Sequence, residues 1–311
     1  TEYLHLIKYT YILFAASNLL LASLRSVESV KIAFLASSEA FVVNCFINFL
    51  LINGNLGAPR LGVTGAAIGT LTARAVELIT VVFYLCFKER KLALKKQDFI
   101  HTDFSLIKDY TKTAGFFIIV GAMFGASTAL QTVILGHMND SAIAANSVAT
   151  ALFQILKVAS VGAASAASVM IGKAIGNGDR KLIKQYTKTL QVIFLMIGLA
   201  TSLLLFVLRA PILSLYDLSE QTKQMANGFL LILCITCVGT AYEMPVLTGI
   251  VRGGGDSKFV FWNDLISIWG IVLPISFLAA FVFHWPPVAV LFCLNSDQIF
   301  KCAAAVIKGN H

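Results

Sequence analysis

The chain has 311 residues, of which 58% are hydrophobic and 13% are charged, and its mean hydropathy is +0.81. A soluble domain carries roughly 25% charged residues, so this composition excludes an ordinary water-soluble protein and indicates an integral membrane protein. The net charge of +8 comes from basic residues dispersed over short loops, a distribution that argues against nucleic-acid binding.

The apolar residues form nine continuous blocks, most of them near the length of about 20 residues that a helix needs to cross a bilayer. Continuous runs, unlike alternating ones, predict helices rather than a β-barrel. In chain order the blocks are 4–24, 32–53, 62–87, 113–136, 142–172, 189–209, 226–250, 259–283 and 287–307.

The basic residues are distributed unevenly between the two ends of these blocks. If all nine blocks cross, 18 of the 24 Lys and Arg fall on one side, including those of 88–112 and 173–188 together with Lys301 and Lys308. Such a side is normally cytoplasmic. The sequence therefore predicts a multi-pass protein of the cell membrane whose C-terminus and longest charged loop face the cytoplasm.

Part of the chain occurs twice, at a constant offset of 227 residues. The offset relates three pairs of landmarks and the apolar run between them, namely Arg25 and Arg252, Lys31 and Lys258, and Pro59 and Pro286. Membrane proteins built from parallel repeats commonly bind substrate between them. We expect residues 1–87 to superpose on about 228–310 by a rotation of about 180° around the membrane normal.

The repeat also predicts the domain organisation. The second unit begins near Phe104 and holds six blocks, whereas the first holds three, so about three further helices are expected before Thr1. The expected fold is an all-α integral membrane protein of two parallel six-helix repeats. Its parts would be a partial N-lobe over 1–87, a cytoplasmic linker over 88–111 and a C-lobe over 112–311, in a monomeric protein.

Five motifs resemble those of the multidrug and toxic compound extrusion family along the whole chain. They are L-R-S-V-E-S-V-K at 24–31, F-V-V-N-C-F-I-N-F-L-L-I-N-G at 41–54, L-G-V-T-G-A-A-I-G-T-L-T-A-R at 61–74, G-A-A-S-A-A-S-V-M-I-G-K-A-I-G-N-G-D at 162–179 and G-I-V-R-G-G-G-D-S-K-F at 249–259. The last is the most specific. By this resemblance the nine blocks would be family helices 4 to 12.

The resemblance implies a function as well as a fold. Members of the family have two six-helix lobes around a central cavity, and they export cationic and amphipathic compounds in exchange for Na⁺ or H⁺. The chain is therefore expected to be a cation-coupled antiporter rather than an enzyme, with a coupling ion and no cofactor. The alternative is a lipid-linked oligosaccharide flippase of the same superfamily, which needs basic residues in its cavity; Lys157 and Lys8 lie deep in blocks.

Glu243 is the first candidate for the ion or substrate site. It lies nine residues before Arg252, or about 13 Å along a helix, and no Lys or Arg stands within four residues of it. A carboxylate at that depth costs a few kcal/mol at least. Tyr242 precedes it, and Pro245 leaves backbone carbonyls free to bind a cation. Glu243 would bind Na⁺ directly, hold a proton, or serve as a hydrogen-bonding group of the structure.

Asp297 and Lys157 are further candidates in the C-lobe. Asp297 lies about ten residues into the last block and has Lys301 at i+4, a spacing that allows an ion pair on one helix face. This pair is either structural or part of ion coupling. The offset places Asp297 opposite Thr70 of the first repeat. Lys157 would neutralise Glu243 or Asp297, or compete with a cationic substrate.

The N-lobe candidates are Glu39, Asn44, Asn48, and the pair Arg74 and Glu77. The i+3 spacing of Arg74 and Glu77 predicts a structural ion pair. Glu39 has no partner nearby in sequence and would face the cavity or the other lobe. Asn44 and Asn48 share a helix face, where some family members use an Asn and an Asp for the cation.

Overall fold

The computed structural model describes residues 2–27, 29–89, 104–216 and 218–309, and every regular element in these ranges is a helix. The chain divides into two compact units, Thr1–Asp103 and Phe104–His311, which are described separately below.

The first unit contains three long helices: α1 (Glu2–Ser26), α2 (Lys31–Asn53) and α3 (Val63–Phe87). Helix α3 packs against both α1 and α2, and its Val81 joins a buried cluster with Leu24 and Ile32. Helix α2 ends at Gly54, whose backbone is left-handed with φ of 74°, a conformation that glycine adopts without steric cost.

The second unit contains six long helices packed around a central one. They are α4 (Phe104–Met138), α5 (Asp140–Gly176), α6 (Arg180–Leu215), α7 (Glu220–Val251), α8 (Ser257–Val282) and α9 (Pro287–Gly309). Helix α7 is central because it contacts α5, α6 and α9. Side chains that accept a backbone N–H three residues on cap the starts of α5, α6, α7 and α8, and they belong to Asn139, Asp179, Ser219 and Asp256.

The nine predicted membrane blocks are confirmed as helices. Within the described ranges, nine helices are long and apolar enough to cross a bilayer. Several of them extend past the apolar blocks, because a helix continues into water where its residues become polar. Helix α4 already begins at Phe104, so residues 104–111 are helical and not a linker as predicted. Residues 90–103, the rest of the predicted linker apart from its first two residues, lie outside the described part of the chain.

Each unit, taken by itself, carries the predicted repeat in its backbone. Helix α2 begins at Lys31 and ends at Asn53, and α8 spans nearly the corresponding residues, Ser257 to Val282. The turns that follow also correspond: Gly57 has φ of 80°, and His284, which stands 227 residues later, has φ of 50°. A non-glycine residue with positive φ is uncommon, so this match is a property of the repeat. The rotation that relates the two segments stays a prediction.

Helices α7 and α8 depart from regular α-helix over three stretches. Pro245 and Pro274 lie within or next to these stretches, and a proline removes one helical hydrogen bond. The i→i+5 pattern of π-helix follows over Val246–Val251, Leu265–Val272 and Leu278–Val282. Such stretches mark places where side chains leave the regular helical register.

The close approach of α7 to α5 requires Gly249. A Cβ at this position would lie 2.8 Å from the carbonyl oxygen of Ala164 and 3.0 Å from the Cβ of Ala167. We expect Gly249→Ala to destabilise the protein by about 1–3 kcal/mol, because overpacking separates the two helices. Thermal unfolding of purified protein would measure this change. Gly162→Ala in α5, where a Cβ would meet open space, is the control and should leave the unfolding temperature unchanged or higher.

Candidate functional site

Lys301 lies at the centre of a charged cluster inside the second unit. Its Nζ is 2.9 Å from Oδ1 of Asp264 on α8 and 3.3 Å from Oδ2 of Asp297, one turn earlier on α9. The whole residue is 7% exposed. The sequence analysis places Lys301 with the basic loops of the cytoplasmic side; the structure corrects this, because the ammonium group lies inside the helix bundle between two carboxylates.

Glu243 on α7 adds a third carboxylate to this cluster. It is 7% exposed, and its charge interacts with Lys301 first and then with Asp297, Asp264 and Lys157. Pro245 has no N–H and cannot donate to the carbonyl of Ala241, four residues earlier. The absence of a basic neighbour along its own helix is thus compensated by lysines from two other helices.

Lys157 contributes the second positive charge. It is half-buried on α5, where its ammonium group lies 5.9 Å from the ring centroid of Phe124 on α4. At this distance the ring attracts the cation weakly. Its charge also interacts with Glu243 and Asp297. Three carboxylates on α7, α8 and α9 therefore face two ammonium groups.

A break in α9 positions Asp297. The helix is interrupted at Asn295 and Ser296, whose side chains donate to the carbonyls of Leu291 and Cys293 at 2.9 and 2.7 Å. Asp297 is the first residue of the helical segment that follows. The sequence analysis treats 287–307 as one unbroken block, although the polar run Asn-Ser-Asp inside it is a turn signal.

Tyr242, next to Glu243, makes a separate contact. Its hydroxyl donates to Oε1 of Gln191 on α6 at 3.3 Å. Adjacent positions on a helix point in directions about 100° apart. Tyr242 therefore links α7 to α6, while Glu243 belongs to the cluster.

In the first unit, the buried carboxylate is Glu77. Arg74 Nη1 lies 2.7 Å from its Oε2, and the hydroxyl of Ser37 donates to its Oε1 at 3.1 Å. The guanidinium of Arg74 also stacks 4.6 Å from the ring centroid of Phe14. Glu77 is 4% exposed, so this pair holds a charge that would otherwise be unpaired in a buried position.

The other N-lobe candidates make local contacts. Glu39, which has no partner nearby in sequence, accepts a hydrogen bond of 2.7 Å from Thr80 on α3. Asn48 Nδ2 donates to Oδ1 of Asn44 at 3.0 Å, and the hydroxyl of Thr70 donates to the carbonyl of Ala66.

Asn48 also has a buried group that stays unsatisfied. Its Oδ1 has no hydrogen-bond partner within the described residues. A Cβ on Gly69 would collide with this oxygen, so the glycine leaves room for the amide.

The offset of 227 residues relates the two charged groups, which the sequence analysis missed. It carries Arg74 to Lys301 and Ser37 to Asp264. In both units the basic residue of the last helix thus bonds to a group near it, with the residue at position 37 or 264 as a member of the same network. The signal was available, since adding 227 to each charged residue within a block finds it.

The described residues contain no group of three or more His, Cys, Asp and Glu arranged to hold a metal ion. In the C-terminal cluster the ammonium of Lys301 lies between the carboxylates instead. All six cysteines are free thiols.

A family model described as MatE matches residues 117–278, more than half of the chain. The chain is 26% identical over 270 residues to the probable multidrug resistance protein NorM of Photorhabdus laumondii, an alignment that covers 85% of this chain and 58% of the relative. It is 28% identical over 242 residues to the protein of the same description from Halalkalibacterium halodurans, covering 76% and 52%. The chain thus spans little more than half the length of these curated relatives.

Solved structures share the fold. A MATE protein in complex with MaL6 superposes with a TM-score of 0.84 at 17% identity, covering 99% of this chain and 68% of that one. A MOP superfamily transporter of Pyrococcus furiosus gives 0.83 at 17% identity, with 99% and 68% covered. The Vibrio cholerae MATE transporter VcmN in its bent form gives 0.76 at 17% identity, with 98% and 69% covered.

We expect Glu77→Gln to destabilise the protein by about 1–3 kcal/mol, a value below that of fully buried pairs because the Arg74 side chain is 36% exposed. The amide keeps the bond from Ser37 but leaves the guanidinium without a counter-charge. Thermal unfolding would measure the change. Glu39→Gln is the matched control, because an exposed amide still accepts from Thr80; equal unfolding temperatures for the two variants would contradict a role for the pair.

Proposed function

The chain belongs to the MatE family, and from this premise we propose that it works as a cation-coupled antiporter that exports cationic or amphipathic small molecules. The carboxylate cluster around Lys301 carries this proposal. Its relatives in Photorhabdus and Halalkalibacterium are described as probable multidrug resistance proteins, which supports the same class of substrate. The coupling ion would be Na⁺ or H⁺.

The charge of the cluster gives a physical basis for coupling. Asp264, Asp297 and Glu243 carry three negative charges when ionised, and Lys301 and Lys157 carry two positive ones. A net negative charge in a site of low dielectric attracts one monovalent cation strongly. A coupling ion and a cationic substrate would compete for this charge, so the entry of one expels the other.

Lys301 would decide which carboxylate takes the exchangeable cation. Its ammonium bonds directly to Asp264 and Asp297, whereas Glu243 is reached through charge alone among the interactions that the structure gives. A fixed cation on the two aspartates leaves Glu243 as the acceptor for Na⁺ or a proton. In this role Lys301 is a positioning residue, since it acts through the carboxylates.

The flippase alternative has less support. A lipid-linked pyrophosphate needs an excess of positive charge, and Lys157 is the residue that favours it, being half-buried next to Phe124. In the second unit, however, the carboxylates of the cluster outnumber its lysines. A substrate of positive charge fits this balance better.

We also propose that the protein lies in the cell membrane with its C-terminus in the cytoplasm. The basic residues at the start of α6, at the ends of α5 and α9, and after α7 support this orientation, because positive loops stay in the cytoplasm.

Glu243→Gln should abolish ion-driven efflux while expression stays near that of the wild type, because the amide keeps the shape but loses the charge and the titratable proton. The measurement is ethidium efflux from cells that express the intact gene, with Na⁺ and pH varied separately. Glu39→Gln is the control. If Glu243→Gln transports like the wild type, the mechanism through this carboxylate is wrong, and Asp297 becomes the next candidate.

Lys301→Met should destabilise the protein by about 3–5 kcal/mol, because two carboxylates lose their fixed counter-charge inside the bundle. Asp264→Asn in the same chain should restore part of the loss. Thermal unfolding in NaCl and in choline chloride would then compare the two cations: the single variant should gain more stability from Na⁺ than the wild type gains. An equal response of both proteins would refute the role of Lys301 as a resident cation.

A further inference from the structure

A second cavity, separate from the charged cluster, opens where several helices of the second unit end. It has a volume of about 500 Å³, within the range of about 300–1,000 Å³ that small-molecule sites occupy. Its walls come from the end of α5, the start of α6, the loop after α7 and the end of α9. We call it the basic crevice, after Lys184, Lys188 and Lys308 in its lining.

The position of the basic crevice corresponds to the level of the lipid headgroups. Helix α6 has 36 residues, about 54 Å at 1.5 Å per residue, whereas the hydrocarbon core is about 30 Å thick. Its first turns, which carry Lys184 and Lys188, therefore extend beyond the hydrocarbon. The other walls are also helix ends, so the crevice lies at the boundary between hydrocarbon and water.

Two lysines of the basic crevice carry charge that no carboxylate offsets. Lys308 Nζ is 2.7 Å from Oδ2 of Asp256, and the hydrogen bond from Lys308 lowers the pKa of Asp256 below its ordinary value, so this pair stays ionised. Lys184 and Lys188 are exposed, stand one turn apart on one face of α6, and form no ion pair within the described part of the chain.

The remaining lining is apolar and continuous with the core. Ile171 is 1% exposed and forms part of the floor, while Ile175, one turn later on α5, is 42% exposed. An inorganic anion would use the lysines but gain nothing from these side chains. A ligand that has a negative headgroup and an acyl chain would use both.

We propose that the basic crevice binds an anionic phospholipid, with the phosphate at Lys184 and Lys188 and the start of an acyl chain against Ile175. Basic pockets between membrane helices bind such headgroups through charge and hydrogen bonding. The site is independent of the transport cluster, because it shares no residue with it.

The test is native mass spectrometry of the purified full chain titrated with phosphatidylglycerol or with phosphatidylcholine of the same acyl chains. The wild type should bind one phosphatidylglycerol at a concentration at least about tenfold below that needed for phosphatidylcholine. The double variant Lys184→Gln/Lys188→Gln should weaken this binding by about thirtyfold, since each basic residue near the headgroup contributes roughly fivefold. Lys181→Gln, on the same helix but outside the lining, is the matched control and should bind as the wild type does.

A second variant tests the acyl-chain contact and covers the case in which the double variant fails to fold. Ile175→Trp keeps every charge but fills the apolar part, so it should also weaken phosphatidylglycerol binding while thermal unfolding stays unchanged. Equal binding of the two lipids, or wild-type affinity in both altered proteins, would overturn the proposal. Competition by glycerol 3-phosphate at equal concentration would overturn it as well, because it would show an anion site that needs no lipid.

Discussion

A buried positive charge shared by carboxylates is the constraint on which the second unit depends. Lys301 cannot lie in the interior of a membrane bundle without counter-charges, since an uncompensated charge there costs several kcal/mol. Asp264 and Asp297 supply those charges from α8 and α9. Helix α7 brings Glu243 to the same place, so the charge balance ties three helices together.

The two repeats meet this constraint in different ways. The first unit closes its charge locally, because Arg74 and Glu77 belong to the same helix turn and Ser37 completes the network. The second unit distributes its charge over several helices. A closed pair has no remaining capacity for an exchangeable ion, whereas an open cluster with more carboxylates than lysines has one. This asymmetry assigns ion exchange to the C-terminal half of the molecule in the proposed mechanism.

The parts of the site that sequence reasoning predicted are those that depend on one helix. The spacings of Arg74 with Glu77, and of Asp297 with Lys301, follow from helical periodicity alone, and both pairs occur in the structure. The nine membrane helices follow from apolar block length, and their turns follow the internal repeat.

The parts that sequence reasoning missed depend on packing between helices. Asp264 is 37 residues from Lys301, and nothing local indicates that the two meet. The burial of Lys301 was likewise hidden, because its place near the chain end suggested a loop residue of the basic side. Lys157 required the structure to show that it faces the carboxylates from α5.

The interruption of α9 gives its second half a free amino end inside the protein. The peptide dipoles of a helix sum to about half a positive charge at that end, where the first amide N–H groups have no partner in the helix. Asp297 stands at this point, as the first residue of the half-helix. The backbone therefore adds to the stabilisation of its negative charge that Lys301 provides. A chain with an unbroken α9 would keep the same three carboxylates but would hold them together less firmly.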